Sequence, residues 1–183
     1  MGFADFSRLI DPALYVLTVA DEHENSGCLI GFASQVSIFP PRFLACVSEV
    51  NHTARLAASA EVLAVHLLGA DQPALAAHFG ELTGDEVDKF AGVAWHRGPF
   101  GSPILEAARG VFEGRVLERH RFGDHVGHLL EPLDAHTSAA PGPGEQLHLS
   151  DTADLGAGHP PEEVLDRPAS GAPRALSARR ARR

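Results

Sequence analysis

Residues 27–53, GCLIGFASQVSIFPPRFLACVSEVNHT, decide how this chain folds. An apolar strand opens on Gly27 and runs through Ser34-Gln35-Val36-Ser37 to Ile38. Pro40-Pro41 ends it, because proline cannot donate to a sheet ladder. A second apolar strand, 42–50, follows and meets Asn51-His52-Thr53, where Asn51 or Thr53 can cap a helix. Gly31 and Ser34 predict a bend or bulge in the first strand. Hydroxyls on a strand followed at once by a helix start also suit a phosphate, since the first backbone N–H groups of a helix favour an anion.

Outward from this unit, the pattern stays mainly β. Residues 14–20 (LYVLTVA) and 62–68 read as strands rich in β-formers. Residues 21–26 read as a polar turn between strands. The spacing predicts short helices over 53–60 and over 72–79, the latter with Leu75 and Phe79 on one face. A further short helix is expected near 85–90, then turns around Gly98, Gly101 and Pro103. Residues 111–120 and 125–133 pair as a hairpin across 121–124, and 3–12 form a short lead-in anchored by Phe3, Phe6 and Leu9. Regular βαβ alternation is absent, which disfavours a doubly wound sheet. About six mostly antiparallel strands with inserted helices give a mainly β fold, a small β-barrel with accessory helices.

The chain has 183 residues, 44% of them apolar, enough for a core. Its net charge of −9 argues against nucleic acid, where affinity rests on neutralising phosphates. No apolar run approaches the roughly 20 residues of a membrane span, and no basic-then-apolar leader is visible. A soluble, cytoplasmic protein without a membrane partner is expected. Cys28 and Cys46 lie in apolar strand patterns and read as small buried hydrophobes rather than a disulfide or a zinc site. Residues 1–137 are expected to form the folded domain. Residues 138–183 are a Pro/Gly/Ala-rich extension, expected to be largely disordered from about 156 onward, with Leu147-His148-Leu149 as one short packed segment. It ends in the basic run RALSARRARR.

In order along the chain, these elements resemble the flavin reductase-like proteins, whose fold is the FMN-binding split barrel. The matching pieces are LYVLTVA, Gly27 through Pro41, Asn51-His52-Thr53, LAVHLL at 63–68, Gln72 with Leu75 and Phe79, and Gly123-Asp124-His125. Lys89-Phe90, Trp95 and Gly101-Ser102-Pro103 match a segment common in one branch. The resemblance covers roughly residues 8–135 and lies in the ordered set, not in any one motif. It implies a homodimer that binds FMN, or FAD, near the subunit interface and reduces it with NADH or NADPH. It further implies that a partner monooxygenase uses the reduced flavin.

Carried over by position, the resemblance places Cys28, Leu29, Ile30 and Gly31 along the isoalloxazine edge, mostly through backbone groups. Ser34, Gln35, Val36 and Ser37 follow the ribityl chain and phosphate, and Asn51, His52 and Thr53 close on the phosphate. His125 faces the flavin and nicotinamide as the catalytic candidate. Relatives often carry threonine where Leu29 stands and serine or asparagine at Gly31, so two side-chain hydrogen bonds are missing here. From the residues alone, Asn51 and Thr53 are equally helix caps, the serines ordinary strand residues, and His125 a turn histidine held locally. His120, His125 and His128 do not form a metal site, because 125 and 128 point to opposite faces of a strand. Two other readings share these features: a flavin-binding module without turnover, and a same-fold oxidoreductase using a deazaflavin or haem.

Overall fold

The computed structural model describes residues 2–7, 9–137, 145–152 and 154–155. Helix α1 (Phe3–Ser7) leads into β1 (Tyr15–Ala20), β2 (Asn25–Ile30), β3 (Ala33–Ser37) and β4 (Arg42–Ser48). Then come α2 (His52–Ala57), β5 (Val62–Leu67), α3 (Pro73–Glu81), β6 (Trp95–Arg97) and β7 (Pro103–Leu105). The long hairpin β8 (Gly110–Phe122) and β9 (His125–Thr137) follows, and a 3-10 turn spans Leu149–Thr152.

Seven strands form one antiparallel sheet in the order β2-β1-β5-β8-β9-β4-β3. Its two edge strands, β2 and β3, are consecutive in the chain. The bend expected near Gly31 is therefore the corner that joins the two edges, and the barrel closes through the covalent chain rather than through a ladder. Mostly β, with helices laid outside, this is the expected split barrel. Strand β1 is buried on both faces. Leu17 and Val19 enter the barrel core beside Ile30, Val47 and Leu63. Val16 faces a second cluster with Phe79, Phe90 and Leu105. Gly27 lets α3 approach, since a Cβ there would lie 2.9 Å from the Phe79 ring. The β8–β9 turn is Gly123-Asp124, with Gly123 at φ 78°, the sign that a two-residue hairpin turn with glycine in first place requires.

Two expectations change. Residues 85–90 form turns, not a helix, because Asp88 takes the Phe90 N–H (2.8 Å) and Lys89 turns inward. The turns expected around 98–103 carry a hairpin, β6–β7, tied down by buried polar groups. His66 accepts the Leu105 N–H at Nε2 (3.1 Å) and donates from Nδ1 to the Val16 carbonyl (3.1 Å). Thr18 donates to the Pro103 carbonyl (2.6 Å). Glu113, 2% exposed, accepts from the Phe100 and Ser102 N–H groups.

Residues 145–152 lie against the barrel. Leu147 is fully buried and bonds Leu14 and Leu68 through its backbone, and Asp11 accepts from Ser150 (2.8 Å). The tail beyond 155, with its basic end, falls outside the described residues. Among the described residues no helix is long and apolar enough to cross a membrane.

Burial holds the His66 imidazole neutral, lowering its pKa from 6.5 to about 4. The unfolded chain protonates His66 below about pH 6.5, whereas the fold resists until about pH 4. The stability tied to neutral His66 is thus complete above pH 6.5 and is lost as pH falls toward 4. The loss is on the order of 3 kcal/mol. Urea unfolding between pH 7 and pH 4 measures it, and His66→Gln flattens that part of the slope while lowering stability at neutral pH.

Candidate functional site

A cleft of about 450 Å³ opens between the β1–β2 turn, the start of α2 and the 84–90 turns. Its volume lies in the range of small-molecule sites. Residues 25–27, Val87, Lys89, Phe90 and Arg97 line it together with the carboxylates of Asp21, Glu22, Glu24 and Asp88. Asp21 folds the β1–β2 turn by accepting from the His23 (2.8 Å) and Glu24 (2.9 Å) N–H groups, and these bonds lower its pKa.

His52 clasps the rim. Its Nε2 meets Glu24 (3.1 Å) and its Nδ1 meets Asp85 (3.0 Å), which also receives the Arg55 guanidinium. The His52 bond, then Arg55, hold the Asp85 carboxyl down at about 2. Three separate stretches, 21–24, α2 and 83–88, are thereby joined at one imidazole. Gly84 is the condition for it, since a Cβ there would sit 2.9 Å from the His52 ring.

The residues picked out by sequence fall in different places. Asn51 caps α2, accepting the Thr53 N–H (3.0 Å). Thr53 is buried, and its hydroxyl is shared with Ser26 (2.9 Å). With His52 held between two carboxylates, each of these three residues has a partner within the chain. Cys28 and Ile30 point into the barrel core, and burial pushes the Cys28 thiol up to about 11. Both cysteines are free. Leu29 packs on α3 at Gly80, so its side chain serves that contact and not a polar one. A Cβ at Gly31 would meet Leu14 at 3.4 Å, so packing does not demand the glycine.

Ser34, Gln35 and Val36 are exposed and Ser37 half-buried on β3, outside the cleft. His125 pairs with Ser48 across the sheet and sets its ring edge-on to Phe32, centroids 5.0 Å apart. Its Nδ1 donates to Asp124 (2.8 Å), which lowers the Asp124 pKa and leaves Nε2 for a ligand. His125 and the start of β3 thus share one surface, and the cleft is a second one at the other end of β2. His128 is buried and faces away from His125. No group of three or more His, Cys, Asp or Glu among the described residues is arranged to hold a metal ion. Sequence reasoning missed Lys89, Phe90 and Arg97 as lining. Their signal was the Lys89-Phe90 match and the position of the only lysine.

The profile of the flavin reductase like domain matches residues 7–152. This chain belongs to that family. One family relative is the reductase component of 4-hydroxyphenylacetate 3-monooxygenase from Klebsiella oxytoca. It is 25% identical over 132 residues, 72% of this chain and 78% of the relative. Among solved structures, the FMN-binding protein of Thermus thermophilus with bound 1-cyclohex-2-enone is 27% identical, with TM-score 0.72. The match covers 78% of this chain and 84% of that one. The NADH:FAD oxidoreductase SgcE6 of Streptomyces globisporus, in complex with NAD and FAD fragments, is 26% identical with TM-score 0.70, over 82% and 89% of the two chains.

The clasp makes a quantitative expectation. Gly84→Ala should cost about 1–3 kcal/mol through overpacking against His52. His52→Ala removes the ring it would strike, so the double variant should cost less than the sum of the two singles. Urea denaturation of the four proteins gives the coupling, and strict additivity would rule out the contact.

Proposed function

We propose that this protein is an NAD(P)H-dependent flavin reductase that passes hydride from a nicotinamide to FMN, with FAD the alternative, and supplies a partner monooxygenase. The observation that carries the reading is the family match along the folded chain, beginning at residue 7 and running to 152. The relatives' names point the same way: a monooxygenase reductase component and an NADH:FAD oxidoreductase. Such work belongs in the cytoplasm, where nicotinamide dinucleotides are used.

The residues present fit a flavin. The outer edge of β2 offers backbone groups, and Phe32 and His125 stand together beyond its end, which suit a flat ring with polar edges. In this reading the ring lies along the backbone of Cys28, Leu29, Ile30 and Gly31, beside Phe32 and His125. Four residues of strand span about 13 Å. Ser34, Gln35, Val36 and Ser37 accompany the ribityl chain and phosphate. Asn51, His52 and Thr53 form the wall beside them. His125 Nε2 faces the ring and nicotinamide as the hydrogen-bonding catalytic group. The flavin and nicotinamide supply the hydride chemistry when bound. The chain holds their rings in contact and keeps water out, which suffices for a large share of the rate.

The reading includes a homodimer. Phe32, Val36, Ile38 and Phe39 form an exposed apolar row on the edge strand and its turn, with Ile38 86% and Phe39 93% exposed. A second copy covering this row would shield the β3 side of the flavin.

Anaerobic mixing of the protein with FMN and then NADH or NADPH tests the activity. Loss of the oxidised flavin absorbance faster than in a protein-free control is the expected result, and the faster donor names the preference. A shifted flavin spectrum without bleaching would favour a binding module instead. No shift would remove the flavin.

The dimer is tested separately. Ile38→Asp with Phe39→Asp should give monomers by light scattering and weaken FMN binding about tenfold or more.

A further inference from the structure

The lead-in to β1 leaves four large apolar side chains in solvent. Phe3 is 80% and Leu9 82% exposed, and Phe6 and Ile10 are exposed with them. Their spacing of three and four puts them on one side of α1 and the turns that continue it. Those turns are closed by the Leu9 N–H on the Phe6 carbonyl (3.0 Å) and the Ile10 N–H on the Ser7 carbonyl (3.1 Å). A helix of five residues does not hold by its own bonds in water, so this apolar side calls for a cover. The base of the lead-in is fixed. Asp11 accepts from the Ser150 N–H and hydroxyl (both 2.8 Å), and the Pro12 carbonyl accepts from the Leu149 N–H (3.0 Å). On its other side Pro12 adjoins Gly31, where a Cβ would lie 3.7 Å from the proline ring. The lead-in therefore leaves the barrel at the same corner from which β3 starts, and its apolar side and the β3 row flank one point. The row alone exposes roughly 500 Å² and the two together roughly 1,000 Å². A stable interface takes about 800 Å² from each partner, so the row falls short by itself and the pair suffices. A monomer seldom carries an apolar patch of that size.

We propose that the lead-in of each copy crosses to a second copy and covers its β3 row, so that Phe3 and Phe6 of the partner subunit complete the flavin site. The inference rests on the reading of the backbone of residues 28–31 as the place of the ring. In a two-fold dimer one patch serves both copies, residue i meeting j where j meets i. A patch built of two halves on either side of a corner closes when each half lies on the other half of the second copy. The ring beside Gly31 and Phe32 then lies under the arriving aromatic pair, whose rings stand 6.1 Å apart between centroids. Two phenyl groups offer a flat ring apolar contact and exclude water from it. The site is thus incomplete in a single chain.

Disulfide trapping in the full chain tests the exchange without any flavin. Cys46→Ser is placed in every chain, which leaves only the buried Cys28. Chains with Phe6→Cys and chains with Val36→Cys or Phe39→Cys are produced together under different tags and oxidised. A covalent dimer carrying both tags is expected with at least one of the two β3 positions, and none from Phe6→Cys alone. A covalent dimer from Phe6→Cys alone, with none of mixed tags, would lay lead-in on lead-in and overturn the proposal. So would a bridge that forms only within one chain carrying both cysteines, which would fold the lead-in onto its own row, and so would no bridge at all. Phe3→Ser with Phe6→Ser gives a second readout should the cysteine variants fail to fold. Light scattering over a dilution series should show a dimer weakened about tenfold or more, and FMN titration a similar loss of affinity. An unchanged dimer in that variant overturns the proposal. Mixed dimers in a protein that binds no FMN would remove the flavin reading and the completed site while leaving the exchange in place, whereas FMN binding without mixed dimers removes this inference alone.

Discussion

The corner at Gly31-Phe32 constrains everything around it. β2 and β3 are the two edges of a seven-stranded sheet, yet they are joined by two residues. The sheet has no choice but to curl until its edges meet. Curling sends Cys28 and Ile30 inward and turns Phe32 outward, against His125. It leaves β3 with an unpaired edge and exposed side chains, a feature proteins ordinarily blunt or cover. Here β3 is only five residues long, and Pro40-Pro41 keeps the chain beyond it from extending the ladder.

Most polar groups inside this fold are met by hydrogen bonds. His66, Thr18 and Glu113 bond backbone groups, and together they anchor the β6–β7 hairpin to β1, β5 and β8. Satisfied groups of this kind rigidify a core at little cost. Lys89 is held in a similar way, its donors met by two carbonyls and its ammonium lying over the Phe79 ring. The same carbonyl bonds give it a structural effect. They fix the β2 edge at Gly27 and the end of α3, and so define one wall of the cleft.

The strands were legible because their apolar runs are bounded by Pro, Gly and polar turns, and seven of the nine lie close to where the pattern put them, β2 and β3 sharing the single strand expected over 27–38. β6 and β7 were not, since Gly98, Pro99, Gly101 and Pro103 read as loop. Their pairing depends on His66 and Glu113, which are distant in sequence. The helix expected at 85–90 failed for a related reason: its residues look helical, but Lys89 gains more by turning to the Gly27 and Phe79 carbonyls. The site was legible only in part. Motif order located β2, β3 and His125. Nothing local shows that His52 clasps Glu24 and Asp85 across the rim, because that contact unites three stretches of chain.

Leu29 and Gly31 gain a physical account from their surroundings. Leu29 is committed to α3, and Gly31 has room for a side chain that it lacks. Neither side chain presents a polar group along β2, so a ligand lying there would meet backbone groups and shape rather than side-chain hydrogen bonds. The two positions differ in what could be changed: a hydroxyl at 31 has space beside Leu14, whereas one at 29 would give up the apolar contact with α3.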